Sequence, residues 1–150
     1  MTCFEAKPDE VLQEKLISMS ADWEAEQSTY GYRKNDRSDI EPNRIFLAQE
    51  GDCLLGYLFG RRELAKNASS VMAEGTVFFE IEELYVVPEQ RSRGVGRALY
   101  RHVEEVVRSE GMEYILLSTA TKNYKSILHF YIDELGMDFW SARLFKRISK

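Results

Sequence analysis

One stretch narrows what this chain can fold into more than any other: Val77 to Val107, VFFEIEELYVVPEQRSRGVGRALYRHVEEVV. Its first third, Val77 to Val87, is rich in β-branched and aromatic residues and long enough for a strand. Its last third places Val95, Ala98, Leu99, Val103, Val106 and Val107 at helical spacing, an apolar stripe over about four turns. Between them Pro88 to Gly96 is a polar loop, with Gly94 and Gly96 one residue apart. Strand, glycine-bearing loop and helix together present free backbone N–H groups at a helix N-terminus, where an anion binds well. The pattern points to a phosphate-bearing ligand, and it also fits a tight strand-to-helix turn with no ligand at all. A P-loop needs Gly-Lys-Ser/Thr where the chain reads Gly96-Arg97-Ala98, and a dinucleotide fingerprint needs a third glycine where Leu99 stands. Both common nucleotide readings fail on residues.

The strand adds chemistry to the loop. A run this apolar is expected to lie mostly buried, yet it carries Glu80, Glu82 and Glu83. Buried carboxylates are costly unless paired or used. On an edge strand the three would simply face solvent. The apolar run Leu84-Tyr85-Val86-Val87 leading into the loop argues for a central strand instead.

The pattern E-x-E-E-L-Y-V-V-P-E-x-R-x-x-G-x-G, followed by an amphipathic helix, resembles the acetyl-CoA signature of the GNAT superfamily of N-acetyltransferases. The family's pyrophosphate loop, Arg/Gln-x-x-Gly-x-Gly/Ala, is matched by Arg91, Gly94 and Gly96. Later, Phe130 to Met137 is similar to the family's F-Y-x-x-x-L-G-F segment, with Met137 for the final Phe. The resemblance covers about residues 40 to 148, and the first 40 residues carry no motif.

Length and composition agree with a single domain over residues 1–150, large enough to bury a core without staples. No apolar run approaches the roughly 18 residues of a membrane helix. The start, MTCFEAKPDE, lacks the pattern of a secretory signal. Cys3 and Cys53 are then expected to be reduced thiols in a cytoplasmic protein. No Cys/His cluster stands at ligand spacing, so no metal is expected. A net charge of −5 argues against a nucleic-acid partner and is compatible with a cationic amine substrate.

Taken in order, Pro8-Asp9-Glu10 starts a helix running to about Gln27, with Val11, Leu12, Leu16, Ile17 and Met19 on its apolar face. Ser28 to Arg44 is a long polar loop, a binding loop or a mobile connection, with room for a short helix. Ile45 to Gln49 and Cys53 to Arg61 form a hairpin about Glu50-Gly51-Asp52, and a polar connection from Arg62 to Thr76 leads into the signature strand. Gly111 closes the signature helix, and Tyr114 to Ser118 is a short strand parallel to the signature strand. A helix from Tyr124 to Leu135 turns Ile127, Leu128, Tyr131, Ile132 and Leu135 inward, and Phe139 to Ile148 alternates as a final strand. The fold class is a mixed α/β (α+β) sheet, mostly antiparallel, with one β-α-β crossover and helices on both faces.

The resemblance implies a V-shaped splay between strands 77–87 and 114–119, into which coenzyme A enters. It implies that backbone groups of Leu84, Tyr85 and Val86 hold the pantetheine as an added strand. The N–H groups of Arg91, Ser92, Arg93, Gly94, Val95, Gly96 and Arg97 would hold the pyrophosphate, with charge from Arg91, Arg93 and Arg97. An alkylammonium must lose a proton before it attacks a thioester, and a strand carboxylate can take it. Glu82 matches the family's commonest glutamate, Glu80 shares its strand parity, and Glu83, expected on the opposite face, ranks third. Tyr131 stands at the family's tyrosine, the candidate acid for the leaving thiolate. The family's cofactor-binding Asn falls on Tyr124, so Asn123, one position earlier, is the nearest substitute. His102 and His129 read as structural. The implied activity is acetyl transfer to a small cationic amine, such as a polyamine, an aminoglycoside-like molecule or an amino-acid derivative. The alternatives are a protein or peptide acetyltransferase and a non-catalytic acyl-CoA-binding module. A homodimer is common among relatives.

Overall fold

The apolar runs become strands, and the computed structural model, which describes residues 1–149, joins them into one five-stranded sheet in chain order. β1 (Thr2–Ala6), β2 (Arg44–Glu50), β3 (Cys53–Leu64) and β4 (Val77–Val86) are antiparallel neighbours, and β5 (Tyr114–Leu117) runs parallel to β4. A parallel pair needs a crossover, and α3 (Val95–Ser109) supplies it. The other helices are α1 (Glu10–Glu26), α2 (Arg37–Ile40) and α4 (Tyr124–Leu128), the last continuing through a π-helical stretch, His129–Glu134.

Period-two alternation along the strands divides the core into two layers. Phe46, Leu58, Phe79 and Ile81 pack against Val95, Leu99, Val103 and Val107 of α3. Ile45, Leu47, Tyr57 and Phe59, on the other face, pack against Leu16 and Met19 of α1 and Ile40 of α2. Each such side chain contributes roughly 1.5–3 kcal/mol by leaving water. The central strands are covered on both sides, which is why β2 reads as a continuous apolar run rather than an alternating one.

Three local expectations need correction. Val11 is 78% exposed, because it lies five residues before Leu16 and so about 140° round the helix from it. Thr2–Ala6, given no element in the sequence analysis, pairs along β2 as the sheet's edge strand. Phe139 to Ile148, read as a final strand, has no regular structure, and Leu144 and Ile148 are each 94% exposed. Alternation supplies the side chains of a strand, but a strand also needs a partner for its backbone, and this segment is paired with none among the described residues.

The long loop does hold a short helix. Asp36 caps α2 by accepting from the Asp39 N–H, while the Asp39 carboxylate accepts from the Asp36 N–H at 2.9 Å. This fixes the stretch from Tyr32 to Asn43 against β3 and β4, where the candidate site lies.

Candidate functional site

The site is built on an irregularity in β4. Strict alternation would put residues 79, 81, 83 and 85 on one face. Instead Phe79, Ile81, Leu84 and Val86 all pack in the α3 layer, and Tyr85 packs in the other. The change of parity is a bulge: Phe59 pairs with Glu83 and Gly60 with Ile81, leaving Glu82 as the extra residue. Gly60 sits opposite because nothing larger fits, since a Cβ there would lie 2.3 Å from the Glu80 carbonyl oxygen.

The bulge has two consequences. Glu82 and Glu83 both line one depression of about 260 Å³, together with Asn35, Ser38, Asp39, Pro42, Asn43, Phe59 and Arg61. The expectation that Glu83 points to the opposite face from Glu82 is therefore overturned. Pairing between β4 and β5 also runs only from Phe78–Tyr114 to Ile81–Leu117. Beyond it, Leu84 to Val86 keep β3 on one side and have no strand on the other among the described residues. The two parallel strands splay where the bulge begins.

The three glutamates have different surroundings. Glu82 is exposed, with its carboxylate 3.3 Å from the Arg61 guanidinium. Glu80 shares that face, and burial, then the charges of Glu82 and Glu63, raise its pKa. Glu83 is the most enclosed. Its Oε1 accepts from the Tyr32 hydroxyl at 3.0 Å and the Tyr57 hydroxyl at 2.9 Å, and Asn35 Nδ2 lies 3.0 Å from both carboxylate oxygens. Burial raises the Glu83 pKa, and the three donors pull it back in part. Burial and the Glu83 charge push the Tyr32 and Tyr57 hydroxyls up in turn, so both remain donors. Tyr32 stacks on Trp23 at 4.1 Å, and Trp23 stacks on Tyr85 at 5.5 Å, which ties α1 to this network.

Beyond β4 the chain makes a 3-10 turn, Pro88–Gln90, and then enters α3. Ser92 and Gly94 take positive φ of 61° and 84°, and the second of these is a conformation only glycine adopts freely. Gly94 caps α3 without any side-chain bond, so no side chain satisfies the N–H groups of the first turn. Gly96 packs tightly, since a Cβ there would meet Phe130 Cζ at 3.3 Å and Leu84 Cδ2 at 3.5 Å. The helix start, the π-helical stretch and the splayed strand thus converge on this glycine.

The predicted loop cations divide. Arg91 is a strut rather than a free charge. Its Nε donates to the Val86 carbonyl at 2.9 Å, its fork holds Glu26 at 2.6 and 3.0 Å, and its plane lies over the Tyr85 ring. Its own N–H is engaged with the Pro88 carbonyl at 3.3 Å. Arg97 pairs with Glu134 at 2.6 Å. Arg93 is exposed, with no carboxylate within ion-pair distance among the described residues.

Tyr131 lies in the π-helical stretch and packs in the α3 layer beside Phe130. Burial, with Tyr100 nearby, pushes its hydroxyl up to about 12. It sits across the sheet from the depression of Glu82 and Glu83, so the structure does not bring acid and base candidates into contact. Asn123 precedes α4, exposed, and its N–H bonds Thr121 Oγ1 at 3.2 Å. His129 pairs with Asp133 at 2.8 Å, and His102 sets its ring edge-on to Phe46. Among the described residues no group of His, Cys, Asp and Glu stands ready to hold a metal, and no helix is long and apolar enough to cross a membrane. Sequence reasoning missed Tyr32, Asn35, Tyr57 and Arg61. They come from separate segments, and only the unusual length of the loop after α1 marked any of them.

The model of the acetyltransferase (GNAT) family matches residues 9–137. The chain belongs to this family. The fold is shared by an aminoglycoside acetyltransferase, HMB0005, from an uncultured soil metagenomic sample, with 19% identity over 99% of this chain and 98% of that one, at a TM-score of 0.70. It is shared by a second such enzyme, meta-AAC0020, also from an uncultured soil metagenomic sample and solved with trehalose, with 14% identity over 99% of this chain and 96% of that one, at 0.69. A transcriptional regulator from Bacillus halodurans C-125 is equally similar, with 21% identity over 98% and 99% of the two chains and a TM-score of 0.71. At these identities the likeness is one of fold. No curated protein matches the sequence. Acetyl-CoA binding is expected for the family.

Proposed function

We propose that this GNAT protein transfers an acetyl group from acetyl-CoA to a primary amine of a small cationic molecule. The observation that carries the reading is the bulge at Glu82. It turns two carboxylates toward one depression and frees the edge of Leu84 to Val86 on the same strand that leads into the glycine loop. The residues present fit the cosubstrate. The uncapped N–H groups of Val95 to Arg97 and the unpaired Arg93 suit its pyrophosphate, and the free strand edge suits its pantetheine. Acetyl-CoA would supply the acyl group, its thioester C–S bond breaking as the amide C–N bond forms, and coenzyme A would leave as the free thiol.

Glu82 takes the proton from the acceptor ammonium, directly or through one water, and its exposure gives the acceptor access. Glu80, with its raised pKa, is the second candidate base. Tyr131 keeps its proton at neutral pH and so has one to give to the leaving sulfur. Glu83, Glu82 and Asp39 around the depression favour a cation, and its volume of about 260 Å³ suits an amine-bearing group of modest size. The two aminoglycoside acetyltransferases among the fold's neighbours support a small-molecule acceptor.

The test is thiol release from acetyl-CoA with a panel of polyamines, aminoglycosides and amino-acid amides. Glu82→Gln is expected to lower kcat by about 10²–10⁴-fold, the usual weight of a general base, and Tyr131→Phe by less. Full turnover in both variants overturns these assignments and moves the base to Glu80. Tight acetyl-CoA binding without turnover on any amine overturns the small-molecule reading.

A further inference from the structure

A second depression, of about 280 Å³, lies outside the site already described, where the end of α1 meets the chain beyond β5. Trp23, Glu24, Thr29, Tyr30, Tyr32 and Lys122 contribute to its wall. Backbone bonds fix that wall. The Tyr30 N–H donates to the Ala120 carbonyl at 2.9 Å and the Lys122 N–H to the Ser28 carbonyl at 2.8 Å, around an antiparallel bridge of Thr29 with Thr121. The loop after α1 is thereby fastened to the continuation of β5, across the splay from β4. Trp23 ties the same wall to β4. It stacks on Tyr85 of the free edge at 5.5 Å, and its indole N–H donates to Thr29 Oγ1 at 3.3 Å.

The wall carries opposite charges that do not neutralise each other. Lys122 Nζ lies over the Tyr30 ring at 5.2 Å, and no carboxylate among the described residues, Glu24 included, stands within ion-pair distance of it. Glu24 Oε2 accepts from the Lys34 N–H at 2.6 Å, and Oε1 has no partner among the described residues. A cation and an anion held apart on one wall complement a zwitterion, each of whose ends gains a charge-assisted bond. Tyr32 joins this depression to the acidic one. It lines the first, and its hydroxyl donates at 3.0 Å to Glu83, which lines the second.

We infer that the acceptor, on the reading proposed above, is a diamino acid. Its α-carboxylate lies on Lys122, its α-ammonium on Glu24, and its alkyl stem crosses Tyr32 to put the distal amine in the depression of Glu82 and Glu83. The distal nitrogen gives a proton to Glu82 and forms the amide C–N bond as the thioester C–S bond breaks. A plain polyamine or an aminoglycoside brings no carboxylate to Lys122 and sets a further cation beside it, so the same pair selects against both. Lys122 and Glu24 touch no reacting atom, and their effect falls on KM.

The experiment compares lysine and ornithine with cadaverine and putrescine, the diamines that lack only the carboxylate, by thiol release and by calorimetry without acetyl-CoA. The diamino acids are expected to show a kcat/KM about 10-fold or more above the diamines, carried by KM, with the acetyl group on the distal nitrogen. Lys122→Ala is expected to abolish the difference and Lys122→Arg to keep it. Equal turnover of diamino acids and diamines overturns the inference and leaves the transferase reading standing. Absence of turnover on every amine, with calorimetric binding of lysine that depends on Lys122, overturns the transferase reading and leaves this site standing. Lysine binding that is absent, or unchanged in Lys122→Ala, overturns the inference whatever the turnover, and so does acetylation of the α-nitrogen.

Discussion

Glu83 is the most informative residue to replace, because it separates the cost of a buried charge from the value of its bonds. Leucine at this position strands three donors, the Tyr32 and Tyr57 hydroxyls and the Asn35 amide, inside the network. Each buried donor left without an acceptor costs about 1–3 kcal/mol, so Glu83→Leu is expected to lose at least ~3 kcal/mol. Against a usual total of roughly 5–15 kcal/mol that is a large fraction. Glutamine keeps an oxygen for both tyrosines and sets an amide against Asn35, giving up one bond while removing the buried charge. Glu83→Gln is expected to stay within about 1 kcal/mol of the wild type at pH 7.

The pH dependence fixes the sign. The folded-state pKa of Glu83 is raised above the unfolded value, chiefly by burial. Between those two values the folded chain holds a proton that the unfolded chain has released, so its contribution to stability falls as pH rises through that window. The unfolded value is about 4.3. Urea unfolding of the wild type and both variants from pH 4 to 7.5 is the assay. The wild type is expected to lose ground to Glu83→Gln as pH climbs, with the difference levelling off above the folded pKa. A leucine variant within about 0.5 kcal/mol of the wild type refutes the network, because ordinary surface changes are that small. A pH-independent difference between glutamine variant and wild type refutes the charge argument.

Two further substitutions probe the frame. Gly60→Ala drives a Cβ into the Glu80 carbonyl, so it is expected to cost at least the ~3 kcal/mol at the top of the overpacking range, measured by thermal unfolding. Arg91→Ala removes the strut between Glu26 and Val86. Its exposed ion pair is worth about 1 kcal/mol or less, so unfolding should barely change, while calorimetry should show a several-fold weaker Kd for acetyl-CoA as the loop loosens.

Much of this was legible in the sequence where side-chain pattern alone decides the structure. The alternation and glycines of Val77 to Val107 placed β4, the loop and α3, and Gly111 and Gly136 marked helix ends with positive φ of 81° and 79°. Illegible were features decided by pairing. A bulge leaves no mark in composition, because Glu82 and Glu83 look alike until Gly60 is set opposite Ile81. Likewise Thr2–Ala6 is a strand because it pairs along β2, and Phe139 to Ile148 is not one because its backbone pairs with no strand among the described residues. The Glu83 network escaped because its donors lie on β3 and on the loop after α1, far apart in sequence.

Register, more than residue identity, therefore gives this chain its chemistry. Were these same residues of β4 to alternate strictly, with no bulge, Glu82 and Glu83 would face opposite sides of the sheet. Glu83 would then enter the apolar layer under α3, where no donor of the Tyr32–Asn35–Tyr57 group reaches. The pairing of β4 with β5 stops at Ile81, the residue before the bulge, so the edge of Leu84 to Val86 opens at the same place. A single insertion thus coordinates the acidic depression with the gap beside the glycine loop. Gly60 is bound to the same geometry, since only a residue without Cβ lets β3 approach the Glu80 carbonyl there. Deleting Glu82 should consequently do more than remove a carboxylate, because Glu83 then follows Ile81 in regular alternation, keeping its face while the bulge beside which the β4–β5 pairing ends is lost.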